Sequence, residues 1–75
     1  MHRYEFECNG YTIIPFGVKP VSADHFTAFG QFRKGDKSVD VAYPGTFATE
    51  ELAREEVRQR APADAAAAPS EKIPF

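Results

Sequence analysis

Two glycine-containing dipeptides constrain the fold of this chain most strongly, because each stands between segments that alternate apolar and polar residues. The first, Asn9-Gly10, favours a type I′ turn, since both central residues of that turn need a positive φ. The apolar pairs that this turn brings together are Phe6 with Ile13 and Cys8 with Tyr11. They fall on one face, so the sequence predicts a β-hairpin with one apolar side.

The second dipeptide, Gly35-Asp36, lies between His25–Arg33 and Ser38–Tyr43, which alternate in the same way. The pairs expected across this second turn are Phe32 with Val39, Gly30 with Val41 and Ala28 with Tyr43. All lie on one face again, which predicts a second hairpin. Ala28 and Gly30 are small and leave room above the sheet for a helix.

Proline and glycine suggest where these strands end. Pro15 lacks a backbone N–H and is expected at a strand end or edge. Gly17 and Pro20 indicate a loop over residues 17–24, and Pro44-Gly45 is expected to end the last strand.

A helix is predicted after Thr49, whose hydroxyl can cap the first turn, followed by Glu50-Glu51 at the positive end of the helix dipole. Two pairs four residues apart support it, Glu50 with Arg54 and Glu56 with Arg60. The arginines are expected toward the negative end of the helix dipole. Pro62 is expected to stop the helix near residues 60–61.

The remaining residues, 62–75, are rich in alanine and proline and are predicted to form a disordered tail. Residues 1–61 would then form a single domain. An alternative is that the apolar end of the tail, residues 73–75, docks on another surface.

The fold prediction is therefore an α+β domain, β-β-β-β-α. Two hairpins form a four-stranded, mainly antiparallel sheet, and one C-terminal helix packs on one face. The predicted core consists of Tyr4, Phe6, Ile13, Phe26, Phe32, Val39, Val41, Tyr43, Phe47, Leu52 and Val57.

Composition excludes several classes of function. A chain of 75 residues is too short for a two-domain enzyme, and the single cysteine, Cys8, excludes an intramolecular disulfide. His2 and His25 lack metal-ligand spacing. Cys8 could act as a nucleophile with His25 as its base, but its predicted place is the core face beside the first turn, where a cysteine is more often a small apolar residue. No metal, cofactor, catalytic residue or small-molecule substrate is therefore predicted, and the chain is not expected to be an enzyme. No apolar run is long enough to span a bilayer, and a cytoplasmic location is expected.

The face opposite the helix suggests a function, because one helix covers only one side of a sheet. In the predicted registers this open face contains three large apolar residues, Ile14, Phe16 and Phe29. Their presence predicts a contact with a protein partner, a second copy or the chain's own tail. The leading hypothesis is a non-catalytic, protein-binding interaction module.

An alternative is an RNA- or DNA-binding module that uses Arg33, Lys34 and Lys37 at the second hairpin tip. The chain carries 9 basic and 11 acidic residues, a net charge of −2. This balance weighs against the alternative, because phosphate neutralisation supplies most nucleic-acid affinity.

The segment Tyr43-Pro44-Gly45-Thr46-Phe47-Ala48-Thr49-Glu50-Glu51-Leu52-Ala53 resembles a strand-to-helix junction of small bacterial proteins. These are the HicB-like and double-stranded-RNA-binding-domain-like modules, in which a sheet is followed by one packing helix. The resemblance implies this fold. HicB-like proteins are antitoxins that cover a ribonuclease, often with a separate DNA-binding element, which is not seen after this helix. The RNA-binding relatives carry lysines where this chain has Glu50 and Glu51, so RNA binding of that type is not expected.

Overall fold

The computed structural model describes residues 4–75. Within them, four antiparallel strands form one sheet in the order β1-β2-β3-β4, and a helix follows. The strands are β1 (Phe6–Cys8), β2 (Tyr11–Val18), β3 (Phe26–Lys34) and β4 (Lys37–Phe47), and the helix α1 spans Glu50–Ala67. The predicted β-β-β-β-α arrangement is confirmed.

Both turns have the backbone that their residues predict. Asn9 and Gly10 have φ values of 53° and 85°, as a type I′ turn requires. At the second turn Gly35 has φ 64°, while Asp36 is not among the residues with positive φ, which is the pattern of a type II′ turn. The predicted registers of both hairpins are confirmed, including Phe6 opposite Ile13 and Phe32 opposite Val39.

The helix packs closely on one face of the sheet because the contacting residues are small. Its buried residues recur every four positions: Ala53, Val57, Ala61 and Ala65. A Cβ atom added to Gly30 would lie 3.0 Å from Cγ1 of Val57, so the glycine provides the space that this side chain occupies. The prediction that small residues of β3 make room for a helix is confirmed.

The core differs from the predicted one in its helical phase. Leu52 was expected inside but is 53% exposed, because the buried stripe begins at its neighbour Ala53. Tyr4 is only partly buried and lies beneath the guanidinium of Arg54, at 3.9 Å from its ring centroid. The buried residues that form the hydrophobic core are Tyr11, Ile13, Ala28, Phe32, Val41, Tyr43, Ala53, Val57, Ala61, Ala65 and Ile73. The predicted residues Phe6, Phe26, Val39 and Phe47 pack against it while partly exposed.

Neither proline ends its strand as predicted, although Pro15 does lie at an edge, which was the other expectation for it. Pro15 lies inside β2, where it is buried opposite Gly30 of β3. It is tolerated there because the β1–β2 ladder ends at Phe6 opposite Ile13, so the β1 side of β2 is an edge at the proline. Similarly, Pro44-Gly45 does not end β4. The register between β3 and β4 shifts near this dipeptide, and Gly45 has φ 110°.

The start of α1 matches the prediction, but its end does not. The Thr49 hydroxyl accepts a hydrogen bond from the Leu52 N–H at 3.1 Å, and Glu50 contacts Arg54 at 3.1 Å. The helix continues through Pro62 to Ala67, so the predicted stop at residues 60–61 is wrong. The arginines therefore lie in the body of the helix, and its last turn contains no basic residue.

The C-terminal residues pack on the core, which corrects the prediction of a disordered tail over 62–75. Ile73 is fully buried, and the Phe75 ring lies 6.0 Å from that of Tyr11. The Tyr11 hydroxyl donates a hydrogen bond to the Phe75 carbonyl, and the Asn9 side-chain amide donates to the Ala65 carbonyl at 2.8 Å. These contacts join the end of the chain to the first hairpin.

Candidate functional site

The sheet face opposite α1 is built from residues that occupy the alternate positions of β2, β3 and β4. Strand alternation sends them away from the helix. The register aligns them in four neighbouring rows, which are Val18 with Thr27, Phe16 with Phe29 and Ala42, Ile14 with Gln31 and Asp40, and Thr12 with Arg33 and Ser38. We call this surface the open face.

The open face exposes apolar side chains side by side. Phe16 is 39% and Val18 46% exposed, while Ile14 and Phe29 are partly buried by their neighbours. A shallow concavity of about 370 Å³ is lined by Phe16, Val18, Phe29, Gln31 and Asp40. The structure thus places the three residues of the predicted contact, Ile14, Phe16 and Phe29, on one connected surface.

Val18 also belongs to this surface, although the sequence did not predict it there. The loop predicted over residues 17–24 included it, whereas β2 continues to Val18. The alternation of Ile14, Phe16 and Val18 was the available signal. Gly17, between Phe16 and Val18, suggested a loop and so hid this pattern. It faces α1, where an added Cβ would lie 2.8 Å from the backbone oxygen of Glu50.

The chemistry of the open face suits contact better than reaction. The row that contains Phe16 and Phe29 is aromatic, and aromatic side chains supply large contact areas in protein interfaces. Gln31 and Asp40 add hydrogen-bonding groups at one side. Burial of the aromatic row, with polar groups at its margin, is the arrangement that a docking partner would use.

The basic residues of the second hairpin tip do not share a face. Arg33 pairs with Thr12 and Ser38 on the open face. Lys34 follows it in β3 and therefore lies on the opposite face, where its Nζ is 4.8 Å from the Tyr11 ring centroid. Lys37, its partner across the turn, is exposed on that same side.

The residues considered for catalysis or metal binding are separated. Cys8 is partly buried at the first turn, while His25 precedes β3 at the other end of the sheet, next to Asp24 at 3.5 Å. The length of β3 puts roughly 25 Å between these ends. His2 lies outside the described residues. Among residues 4–75, no group of three potential metal ligands comes together.

The Tyr43 hydroxyl, on the helix side of the sheet, has an altered pKa. Burial, together with a hydrogen bond to the Asp64 carboxylate and its negative charge, raises the pKa of Tyr43 above its usual range. The hydroxyl donates to Oδ2 of Asp64 at 2.7 Å, which ties β4 to the second half of α1. This contact keeps the phenol protonated and stabilises the fold.

In the described part of the chain, no helix combines the length and apolar character that crossing a membrane requires. No protein-family model matches this chain, and neither does any curated protein or solved structure compared with it.

Proposed function

We propose that this protein is a non-catalytic interaction module that binds another protein through the open face. The observation that supports the proposal most directly is the aromatic pair Phe16 and Phe29, which sits partly exposed on a sheet face that α1 does not cover. Val18 and Ile14 extend the pair in both directions along β2. Apolar surface of this kind gains free energy when a partner removes it from water.

The partner is either a different protein or a second copy of this chain. The sequence also allowed a third possibility, in which the chain's own C-terminal residues cover the open face. In the structure these residues pack against Tyr11 on the helix side instead. They leave the open face available to another molecule. The module is further proposed to be cytoplasmic and to work without a cofactor or a small-molecule substrate.

The nucleic-acid alternative has weaker support. Arg33 shares the open face with the aromatic pair, but Lys34 lies on the other face and over Tyr11. A single strand of RNA or DNA would therefore meet one of the three predicted cations beside the aromatic rings. Residues 43–53 resemble the HicB-like and double-stranded-RNA-binding-domain-like junction, and a relationship to those families remains a prediction.

A comparison of two charge-introducing variants tests the proposal. Phe29→Asp puts a carboxylate in the centre of the open face, whereas Val21→Asp makes the same kind of change at a fully exposed loop residue. Both proteins should fold as the wild type does by circular dichroism. Partners recovered with tagged wild-type protein, and any dimer seen in sedimentation, should persist with Val21→Asp and be lost with Phe29→Asp.

The proposal fails if Phe29→Asp keeps every partner and the oligomeric state of the wild type. Titration with labelled single and double strands at about 50 and 200 mM salt separates the alternative. Binding that weakens steeply as salt rises, and that depends on Arg33 rather than Phe29, would replace protein binding with nucleic-acid binding.

A further inference from the structure

The outer edge of β4 offers a second surface, which borders the open face. The strand order places β4 at one side of the sheet, and it spans 11 residues whereas the opposite edge strand, β1, spans 3. A two-residue turn joins Lys34 to Lys37, so this pair exchanges backbone hydrogen bonds. By alternation, the N–H and C=O groups of Ser38, Asp40 and Ala42 point away from β3 and toward the free edge.

This part of the edge has few of the features that prevent strand pairing. Proline, lysine and bulges commonly protect edge strands. In β4 the lysine precedes the segment, at Lys37, and Pro44-Gly45 follows it. Between them, residues 38–43 pair regularly with β3 and contain one charged side chain, Asp40, which points to the open face. Among the described residues, no strand pairs with the outer side of this stretch, so an added strand could bind there.

A groove lies beside this edge on the helix side, between β4 and α1. Its volume is about 410 Å³, and it is lined by Tyr43, Pro44, Gln59, Arg60, Ala63, Asp64 and Lys72. A strand added to β4 would direct every second side chain toward the helix side. The side chain opposite Tyr43 would enter the groove.

The charges around the groove are arranged asymmetrically. Arg60 pairs with Glu56 and Lys72 pairs with Asp64. In each pair the cation is the exposed member: Arg60 is 58% and Lys72 60% exposed, against 19% and 20% for their carboxylate partners. Asp64 is further covered because it accepts the Tyr43 hydroxyl. An approaching ligand therefore meets two cations first, which favours a negative group.

We propose that β4 and this groove bind an extended, acidic peptide segment of a partner protein as a fifth strand of the sheet. The peptide backbone pairs with Ser38, Asp40 and Ala42, and an acidic side chain opposite Tyr43 contacts Arg60 and Lys72. Backbone pairing supplies affinity and the groove supplies preference for the acid, which is how strand addition generally divides these roles. The side chains of these three β4 residues point to the open face, so the site adjoins that face but uses the backbone groups of the edge and the groove on the helix side.

The test uses the full chain, labelled with ¹⁵N, and a blocked peptide of sequence Thr-Glu-Thr-Val-Thr-Val-Thr. Antiparallel pairing puts glutamate opposite Tyr43 and threonines opposite the three pairing residues of β4. The amide signals of Ser38, Asp40 and Ala42 should shift during titration, and their hydrogen exchange should slow. Methylation of the threonine amides should abolish binding, whereas methylation of the valine amides should preserve it.

Matched charge removals test the groove. Arg60→Gln should weaken binding of the glutamate peptide by about tenfold, and Lys72→Gln should act in the same direction. Arg58→Gln is the control, since Arg58 is on the same helix but faces the Phe6 ring, at 5.8 Å from its centroid. A peptide with glutamine in place of glutamate should bind the wild type more weakly and should be insensitive to Arg60→Gln.

Three results would overturn the proposal. The first is the absence of β4 amide shifts at millimolar peptide. The second is a set of shifts centred on Phe16, Val18 and Phe29 that persists when the threonine amides are methylated, which would place the peptide on the open face. The third is a concentration-dependent shift of the β4 amides without peptide, which would identify a second copy of the chain as the occupant.

Discussion

The two faces of the sheet contain similar residues but differ in what lies over them. On the face covered by α1, Phe32 has no exposed surface. On the open face, Phe29 of the same strand is partly exposed and its cross-strand neighbour Phe16 is 39% exposed. The difference comes from one helix, whose small buried residues let it lie close to a single side. The residue types of a strand alone therefore do not show which side chains are buried in the core and which stay exposed on the open face.

The sharpest form of this comparison is one substitution made on each face. Phe32→Ala should lower the free energy of unfolding by about 3–5 kcal/mol, because it removes a fully buried ring and leaves a cavity. Phe29→Ala should cost about 1 kcal/mol or less, because that ring already contacts water. Urea denaturation of both variants measures the difference. Equal losses would mean that the open face is covered in solution.

The C-terminal residues extend the covered face, and Ile73→Ala tests this. The side chain is fully buried, so its truncation should cost about 2–4 kcal/mol. Pro74→Ala, at an exposed neighbour, is the control and should change stability little. The prediction fails if both variants unfold at the wild-type urea concentration.

Close packing of α1 on β3 predicts a smaller effect at Gly30. Gly30→Ala should destabilise the protein by about 1–3 kcal/mol, because the new methyl group would meet Val57 at 3.0 Å. Combining it with Val57→Ala should give a loss smaller than the sum of the two single losses, since one change relieves the other. Strict additivity in thermal unfolding would contradict this contact.

The smallest effect is expected at Tyr43 and depends on pH. Tyr43→Phe removes the hydrogen bond to Asp64 and should cost about 1 kcal/mol at neutral pH. In the folded protein the pKa of Tyr43 is raised above the unfolded value of about 10. Its stabilisation is therefore complete below pH of about 10 and is lost as pH rises toward the folded pKa. Wild-type stability should fall more steeply than that of Tyr43→Phe above this pH.

The sequence predicted the sheet well because its information is local. Asn9-Gly10 and Gly35-Asp36 define the turns, and the alternation of apolar residues defines the register. The two signals check each other, because a turn misplaced by one residue would put the apolar side chains of the paired strands on different faces. The same alternation predicts Ile14, Phe16 and Phe29 on one face, which is where they lie in the structure. The prediction omits Val18 from this face, because Val18 lies at the boundary between β2 and the predicted loop.

The C-terminal part was predicted poorly because its stability depends on distant contacts. Proline inside a helix costs about 3 kcal/mol locally, so a local reading ends the helix before Pro62. The structure offsets this cost with burial of Ala65 and Ile73 and with the hydrogen bond from Asn9 to the Ala65 carbonyl. Asn9 is 56 residues away in sequence, and no local pattern reveals that pairing. The groove beside β4 depends on the same helix extension and was missed for the same reason.

The most direct test of the account is the solvent exposure of phenylalanine rings on the two faces. A soluble paramagnetic agent, added to dilute protein, broadens NMR signals of protons that reach the surface. The account predicts strong broadening of the Phe16 and Phe29 ring signals and little change for Phe32 or Ile73. Equal protection of Phe29 and Phe32 would contradict it, because the open face would then be covered rather than available to a partner.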